Sequence, residues 1–246
     1  MNHRKTMKVS IVSQARMASS RLSGKVLKQV KGKSLLFYHV DRAKWSGFPV
    51  IVATTKNRED DMIREECEIL GIPCFRGDQD DVLDRFYRCA QENGLDAVIR
   101  ITSDCPLIDG NLIKLGYDLF LESGADYVSN ILERRYPRGL DFEIFTFGAL
   151  EQAHKNACEL PEREHVTPYI WRNRPELFKL KKLSYNRDKS GYRITVDTKE
   201  DFKLIEKLIK DFEAEKKGYE QLIDILDKHT YLSEINKEVE QKHYGE

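Results

Sequence analysis

The sequence predicts an α/β fold in which helices cover both faces of a mostly parallel central sheet. From residue 8 to residue 130, short apolar runs rich in β-branched residues alternate with longer amphipathic segments. This alternation is typical of β–α–β units. Ser34 precedes one amphipathic segment as an N-cap, and Gly71, Gly94 and Gly124 follow three others as C-caps. The helix boundaries and the strand composition therefore point to the same fold.

The individual elements follow from these patterns. The run at residues 8–13 and the run VIVATT at 50–55 are apolar on both faces, as expected of buried parallel strands. Further strands are expected at residues 72–75, 97–102 and 127–130, and helices at residues 34–45, 58–70, 80–93 and 111–123. Ligands of such sheets bind at the carboxyl ends of the strands, so the residues that follow each strand are the candidates for function.

The alternation breaks after residue 130. An alternating pattern predicts a strand at 139–147, and strands are also expected at 178–184 and 192–196. Helices are expected at residues 147–156, 162–172 and 198–212. We interpret residues 7–212 as one domain with an insertion at about 131–190, and residues 213–246 as a polar, partly helical tail.

The composition excludes several classes of protein. Lys+Arg and Asp+Glu are each 41, so the 246-residue chain has no net charge and is not a protein whose whole surface binds nucleic acid. The sequence contains no run of about 18 apolar residues, so no membrane span is expected. Five cysteines without a CxxC spacing indicate reduced thiols and a cytoplasmic protein. The start MNHRKT is basic with no apolar stretch behind it, so we expect a leader before Met7 and not a secretory signal.

A basic loop follows the first predicted strand. Its sequence QARMASSRLSGK, residues 14–25, places Arg16, Arg21 and Lys25 among small residues and hydroxyls. The loop has neither the GxGxxG pattern of dinucleotide sites nor the opening glycine of a Walker A loop. Backbone N–H groups and three cations at a strand end nevertheless suit a polyphosphate, and the alternative is a solvated turn.

Two aspartates follow other predicted strands. Asp104 lies in TSDCPLID, residues 102–109, and Asp197 lies in TVDTKEDF, residues 195–202. Two carboxylates beside a polyphosphate loop predict a site for Mg²⁺, which takes one or two carboxylates together with phosphate oxygens. The alternative for Asp104 is a turn before Pro106, and for Asp197 a helix cap.

These motifs resemble those of the CMP-sugar synthetases. QARMASSRLSGK resembles the ARxxSxRLPGK loop of the Kdo (3-deoxy-manno-octulosonate) cytidylyltransferases, and TVDTKEDF resembles their VDTPEDL. The strings FRGDQDDVLDRF (75–86), YPRGLDFEIF (136–145) and EREHVTPYI (162–170) resemble the subgroup of spore-coat polysaccharide cytidylyltransferases. The resemblance covers roughly residues 7–212. Ser23 and Lys199 stand where the family has proline, and Ser103 where it has glycine.

The resemblance implies a three-layer nucleotide-diphospho-sugar transferase fold and transfer of CMP from CTP to an acidic sugar, with Mg²⁺ as cofactor and pyrophosphate as leaving group. It implies catalytic roles for Arg16, Lys25, Asp104 and Asp197, the two aspartates holding the metal. The nucleotide-binding residues that it implies are Gln14, Ala15, Arg16, Ser19, Arg21, Lys25, Thr54, Arg85 and Asp104.

The insertion is expected to shape the acceptor pocket. The residues expected to bind the sugar are Arg138, Asp141, Glu143, Arg163 and His165, because arginines form bidentate pairs with carboxylates. The segment 139–147 is also expected to cross to a second copy, which predicts a homodimer. His39 and His154 are interpreted as structural residues, and Tyr169 and Trp171 as core.

Two other functions remain open from the sequence. A glycosyltransferase of the same fold would consume a nucleotide-sugar and would place a DxD pair at a strand end, whereas this chain has the single acid of Ser103–Asp104–Cys105. A non-catalytic nucleotide-binding module would have no use for Asp104 and Asp197 beside the loop. Release of pyrophosphate from CTP separates these alternatives.

Overall fold

A computed structural model describes residues 7–241, so the leader expected at residues 1–6 and the last five residues of the expected tail lie outside the described part. The strands are β1 (Val9–Gln14), β2 (Gln29–Val30), β3 (Lys33–Ser34), β4 (Val50–Thr55), β5 (Cys74–Gly77), β6 (Ala97–Thr102), β7 (Tyr127–Ser129), β8 (Glu143–Thr146) and β9 (Leu180–Lys182). The helices are α1 (Leu35–Ala43), α2 (Asp61–Ile69), α3 (Val82–Glu92), α4 (Gly110–Ser123), α5 (Phe147–Asn156), α6 (Leu160–His165), α7 (Lys199–Phe212), α8 (Tyr219–Lys228) and α9 (Tyr231–Glu234).

Seven strands form the central sheet in the order β5-β4-β1-β6-β8-β7-β9. Neighbouring strands run parallel, except that β8 runs antiparallel to both β6 and β7. The register places Gln14 at the end of β1 beside Thr102 at the end of β6. The prediction of a mostly parallel sheet is confirmed, and the segments after β1 and β6 leave the sheet side by side.

Helices cover both faces of the sheet because successive strand residues point to opposite sides. Ile11 packs with the side chains of α1, α4, α7 and α8 in the larger core, whereas its neighbour Val12 packs with α3 and α5 in the smaller one. On β4, Val52 and Ala53 divide between the same two cores. The apolar runs of the sequence are continuous for this reason, and the three layers of the predicted fold follow.

Side-chain caps fix where the helices begin. Ser34 Oγ accepts the N–H of Phe37 at α1, as predicted. Asp81 and Asp109 cap α3 and α4 in the same way, although neither cap was predicted. Gly124 ends α4 in the left-handed conformation, with φ 56°. These caps place the loops before α3 and α4 at the same edge of the sheet as the basic loop.

The segment expected to cross to a second copy lies within this chain. β8 occupies the centre of the sheet, where it pairs with β6 on one side and β7 on the other. The alternating pattern of residues 139–147 comes from a buried antiparallel strand, and only residues 143–146 are extended. The pairing of β8 within the chain gives no support to a homodimer, which stays a prediction.

Two further elements differ from their predictions. Residues 162–172 do not form one helix, because α6 ends at His165, Val166 adopts φ 72° and Pro168 precedes a π-helical turn at Tyr169–Asn173. Residues 192–196 do not form a strand of the sheet. Arg193 forms an isolated parallel bridge with Arg138, which itself lies outside the strands. Both differences occur where the chain bends around the site described below.

The C-terminal segment is helical in parts, and several of its apolar residues are buried. Leu222, Ile223 and Leu226 of α8 and Leu232 of α9 belong to the larger core. After α9, Asn236 donates to the backbone carbonyl of Arg193 at 3.1 Å and to the carboxylate of Asp201 at 2.8 Å. The segment therefore returns to the carboxyl ends of the strands. Within residues 7–241, no helix has the length and apolar character required to cross a membrane.

Candidate active site

A cavity of about 540 Å³ lies at the carboxyl ends of β1 and β6. Most of the residues predicted for the site line it: Gln14, Ala15, Arg16, Ser19, Arg21, Lys25, Arg85, Asp104, Arg138, Asp141, Glu143, His165 and Asp197. The basic loop closes one end of the cavity, and the chain around β8 closes the other. Residues that are distant in sequence thus converge on one concave surface, at the place expected for this class of sheet.

The basic loop is held in a defined shape. The N–H of Gly24 donates to the carbonyl of Met17 at 3.0 Å, and Gly24 adopts φ 64°. The N–H of Met17 donates to Asp60 Oδ1 at 2.6 Å. Asp60 is buried and accepts a second hydrogen bond from Thr55 at the end of β4. The loop is therefore anchored to a neighbouring strand, and its cations face the cavity.

Lys25 lies between the two aspartates. Its Nζ is 3.0 Å from Asp104 Oδ2 and 2.7 Å from Asp197 Oδ1. The backbone brings the two acids together, because the N–H of Val196 donates to the carbonyl of Asp104 at 2.7 Å. Burial alone would lower the pKa of Lys25, but the two carboxylates outweigh burial and raise it. Burial likewise opposes ionisation of Asp104, yet the Lys25 ammonium lowers the pKa of Asp104 to about 2.

Two arginines complete the surroundings of Asp197. Arg21 Nη2 and Arg193 Nη2 lie 3.0 Å and 2.7 Å from Asp197 Oδ2. Arg193 also pairs with the buried Asp201, at 2.8 Å from Nε to Oδ1. Arg193 was missed in the sequence, although its position four residues before Asp197 was a possible signal. Both oxygens of Asp197 are thus engaged by cations.

A buried hydrogen-bond chain lies behind Asp104. Ser13 Oγ lies 2.7 Å from Ser103 Oγ and 2.8 Å from His39 Nε2, and His39 Nδ1 lies 2.8 Å from the carbonyl of Cys105. The carbonyl can only accept, so Nδ1 donates to it and Nε2 accepts from Ser13. Burial lowers the pKa of His39 to about 4, so the ring is neutral at pH 7. His39 is structural, as predicted, and Ser103 uses the hydroxyl that distinguishes it from glycine.

Arg85 is a buried cation that lines the cavity. Its side chain is 2 % exposed, Nη2 donates to the carbonyl of Gln79 at 3.2 Å, and Nε has no hydrogen-bond partner within residues 7–241. Burial and the neighbouring Arg16 lower its pKa. A Cβ at Gly77 would lie 2.6 Å from Arg85 Cγ, so glycine at the end of β5 makes room for this side chain. An incompletely paired buried guanidinium is suited to an anionic ligand.

Glu143 and Arg100 form a buried pair at the other end of the cavity. Arg100 Nη1 pairs with Glu143 Oε2, and Nη2 donates to Gln14 Oε1 at 2.9 Å. Glu143 also accepts hydrogen bonds from Tyr127, at 2.7 Å, and from Thr167. Glu143 is therefore fully satisfied inside the protein, and its negative charge is compensated. Arg100 was not predicted, because it lies inside a strand.

Asp141 is compensated in the same way, whereas Arg138 is not. Arg134 donates to both oxygens of Asp141, at 2.8 Å and 2.9 Å. Arg138 forms no ion pair within the described residues, and burial together with the nearby Arg134 lowers its pKa. The end of the cavity lined by Glu143 and Arg100 thus contains a half-buried arginine whose charge is not matched by a bonded carboxylate.

Two predicted site residues, Arg163 and Thr54, lie away from the cavity. Arg163 lies outside the cavity, where it pairs with Asp81 and donates to the carbonyl of His154 at 2.9 Å, tying α6 to α3 and α5. Thr54 also lies outside it, because it is fully buried within β4. Trp171 is partly buried against the smaller core, as predicted, and it also lines the cavity, where its Nε1 donates to Thr167 Oγ1 at 3.2 Å. Tyr169 is buried in the core, as predicted.

The donor set fits a divalent cation. Asp104 and Asp197 present oxygens to one position, which the Lys25 ammonium shares. Over residues 7–241, no three acidic, histidine or cysteine side chains form a metal-binding group. A metal bound here would rest on two aspartates and on ligand oxygens, a set typical of Mg²⁺ and not of zinc.

Comparison with known proteins shows which family this chain resembles. The sequence model of a protein family described as cytidylyltransferase matches residues 10–243. The uncharacterized protein MJ1063 of Methanocaldococcus jannaschii is 43 % identical over 245 residues, which cover 98 % of this chain and 99 % of the relative. The spore coat polysaccharide biosynthesis protein SpsF of Bacillus subtilis is 34 % identical over 209 residues, 81 % of this chain and 85 % of SpsF. A solved cytidylyltransferase from Leptospira borgpetersenii superposes with a TM-score of 0.89 at 35 % identity, covering 96 % of this chain and all of that structure.

Proposed function

Because this chain belongs to the cytidylyltransferase family and is a CTP-dependent nucleotidyltransferase, we propose that it transfers CMP from CTP to an acidic sugar and releases pyrophosphate. Family membership distinguishes this activity from the glycosyltransferase and binding-module alternatives. The observation that carries the proposal is the position of Lys25 between Asp104 and Asp197, beside the cations of the basic loop. This arrangement combines a triphosphate site with two metal-binding carboxylates in one cavity.

The reaction forms one bond and breaks another at the same phosphorus atom. A hydroxyl oxygen of the sugar attacks the α-phosphorus of CTP, the bond from that phosphorus to the bridging oxygen breaks, and the hydroxyl proton leaves to solvent. Negative charge grows on the leaving pyrophosphate. Arg16, Arg21 and Lys25 face this end of the cavity and stabilise that charge. Arg85 holds a further phosphate or nucleotide oxygen.

Asp104 and Asp197 hold the divalent metal in this proposal. When bound, the metal neutralises charge on the phosphate oxygens and polarises the reacting phosphorus. Asp104 keeps its charge down to low pH, because its pKa lies near 2. The chain from Ser13 through His39 to the carbonyl of Cys105 fixes the backbone around this aspartate, so that the carboxylate is preorganised.

The end of the cavity lined by Arg138, Asp141 and Glu143 is suited to an acidic sugar as the acceptor. The negative charges of Asp141 and Glu143 are already paired with Arg134 and Arg100. Arg138 is left to pair with an incoming carboxylate, and a guanidinium can do so through two hydrogen bonds. The resemblance to Kdo cytidylyltransferases supports the same class of acceptor.

The product is proposed to serve surface polysaccharide biosynthesis. The similarity to SpsF, a spore coat polysaccharide biosynthesis protein, supports this role. The five unpaired cysteines suit the reducing conditions of the cytoplasm. A homodimer remains a prediction, which light scattering tests; a monomer at all concentrations would contradict it.

Release of pyrophosphate tests the proposed function. The purified protein is mixed with CTP, Mg²⁺ and a panel of acidic and neutral sugars, and pyrophosphate is measured with a coupled assay. We expect release with CTP and with at least one acidic sugar, and none when the sugar is omitted. Release with neutral sugars alone would contradict the acceptor class, and consumption of a CMP-sugar without use of CTP would contradict the reaction.

Arg138→Met tests the acceptor contact. Loss of a charged hydrogen-bond pair costs about 1.5–3 kcal/mol, or roughly 10- to 150-fold in affinity. We therefore expect KM for the acidic sugar to rise at least tenfold while KM for CTP changes little. Arg135→Met is the matched control, because Arg135 carries the same charge on the same segment and does not line the cavity. An unchanged KM for the sugar in Arg138→Met would remove this residue from the site.

A further inference from the structure

The metal-binding carboxylates are already occupied by side-chain cations of this chain. Lys25 Nζ contacts an oxygen of each aspartate, at 3.0 Å and 2.7 Å. Arg21 and Arg193 contact the remaining oxygen of Asp197. The Lys25 side chain is 12 % exposed and that of Asp197 16 %, so these contacts are shielded from solvent. A metal ion must displace at least the Lys25 ammonium before both aspartates can bind it.

Charge makes this displacement unfavourable when the metal arrives alone. The three cations are balanced by Asp104, Asp197 and Asp201, so the cluster is already neutral without a metal. A divalent cation added alone would give a net positive charge to a partly desolvated site, where like charges repel strongly. A metal that arrives with a triphosphate brings net negative charge instead, and the displaced cations then have phosphate oxygens to contact.

We infer that Lys25 is an internal cation that keeps the metal site closed and makes metal binding dependent on the nucleotide. This inference rests on the proposed function, because it assumes that CTP is the ligand that draws Lys25 away. Lys25 and Arg21 lie on the basic loop, so the same cations that close the aspartates in the free protein contact the phosphates in the complex. Metal and CTP then strengthen each other's binding by the same factor, as linkage requires.

The test measures binding of Mn²⁺ to the free protein by electron paramagnetic resonance at pH 8, without nucleotide. We expect weak binding by the wild type and at least tenfold tighter binding by Lys25→Met, since removal of the ammonium exposes both carboxylates. Lys28→Met is the matched control, because Lys28 follows three residues later and lies outside the cavity. It should bind Mn²⁺ as weakly as the wild type.

A double variant shows which site is measured. Lys25→Met combined with Asp104→Asn should lose the gained affinity, because only one of the two carboxylates remains. Circular dichroism checks that each variant is folded, and Lys25→Gln replaces Lys25→Met if the latter is not. If folded Lys25 variants bind Mn²⁺ no more tightly than the wild type does, the inference is wrong.

The binding experiment is independent of the proposed function. It contains no CTP and no sugar, so it reports on the closed metal site even if the enzyme uses another acceptor. Calorimetric titration of the wild type with CTP, with and without Mg²⁺, then tests whether the protein binds this nucleotide. Absence of CTP binding in both titrations would refute the proposed function while the Mn²⁺ result stood.

Discussion

Asp104→Asn should reduce both the stability of the free protein and its turnover. The substitution removes the charge that faces Lys25 at 3.0 Å but keeps the shape of the side chain. In the folded protein the pKa of Asp104 lies near 2 instead of the usual 3.8. A shift of this size corresponds to about 2 kcal/mol of folding free energy at pH 7. We expect the variant to lose up to that amount in the absence of metal and nucleotide.

The loss should depend on pH with a definite sign. Because the folded-state pKa of Asp104 is lowered, its contribution is present above pH 3.8 and is lost as the pH falls towards 2. Near pH 3 the difference between wild type and variant should be roughly half of its value at pH 7. Urea denaturation at both pH values measures it. Asp118→Asn removes an exposed carboxylate paired with Lys114 and, as the control, should change stability by less than about 1 kcal/mol.

Turnover should fall by a larger factor than binding of CTP. Loss of one electrostatic contact to the transition state typically lowers kcat about 100- to 1000-fold, whereas the cations of the basic loop still hold the triphosphate. Steady-state pyrophosphate release measures kcat, and calorimetry measures the affinity for CTP. A folded Asp104→Asn variant with near-native kcat would show that this carboxylate is structural and would refute the assignment of the metal site.

Two further predictions concern the fold that supports the site. His39 is buried, and its pKa is about 4 in the folded protein. As the pH falls, this side chain therefore binds a proton at a higher pH in the unfolded chain than in the folded one. Acid should for this reason destabilise the protein by up to about 3 kcal/mol between pH 6.5 and pH 4. His39→Gln should flatten that part of the stability profile in urea denaturation, and an unchanged slope would contradict this explanation. Gly110→Ala should cost about 1–3 kcal/mol, because its Cβ would lie 2.4 Å from the backbone nitrogen of Ser46. Gly148→Ala, on an exposed helical position with no atom closer than 4.0 Å, should instead stabilise the protein by up to about 1 kcal/mol; equal effects would refute the packing argument.

The sequence predicted those site residues whose position follows from local rules. Asp104 could be placed because it follows a clear buried strand. For Asp197, the preceding residues 192–196 are not a strand of the sheet, although the acid lies where it was expected. The basic loop was placed because its cations follow β1 directly. In these cases the direction of the chain is enough to predict where a side chain points.

Residues whose role depends on distant partners could not be predicted. Arg163 and Arg138 look equivalent in the sequence. Arg163, however, pairs with Asp81, 82 positions away, and this pair connects two helices. Arg193 belongs to the site because of the bend that replaces a strand at 192–196. The antiparallel insertion of β8 cannot be read from an alternating pattern, since that pattern does not specify which neighbours the strand has.

The return of the C-terminal segment to the cavity has a consequence for biosynthesis of the protein. Arg21 donates to the carbonyl of Glu240 at 3.2 Å, and Asn236 and Gln241 contact Arg193. The contact between Arg21 and Glu240 joins residues that are 219 positions apart in the sequence. Without residues 236–241, Arg193 still has Asp197 and Asp201 as partners but lacks the contacts with Asn236 and Gln241. These supports of Arg21 and Arg193 can form only after residues 236–241 have been translated, when all strands of the central sheet are already available.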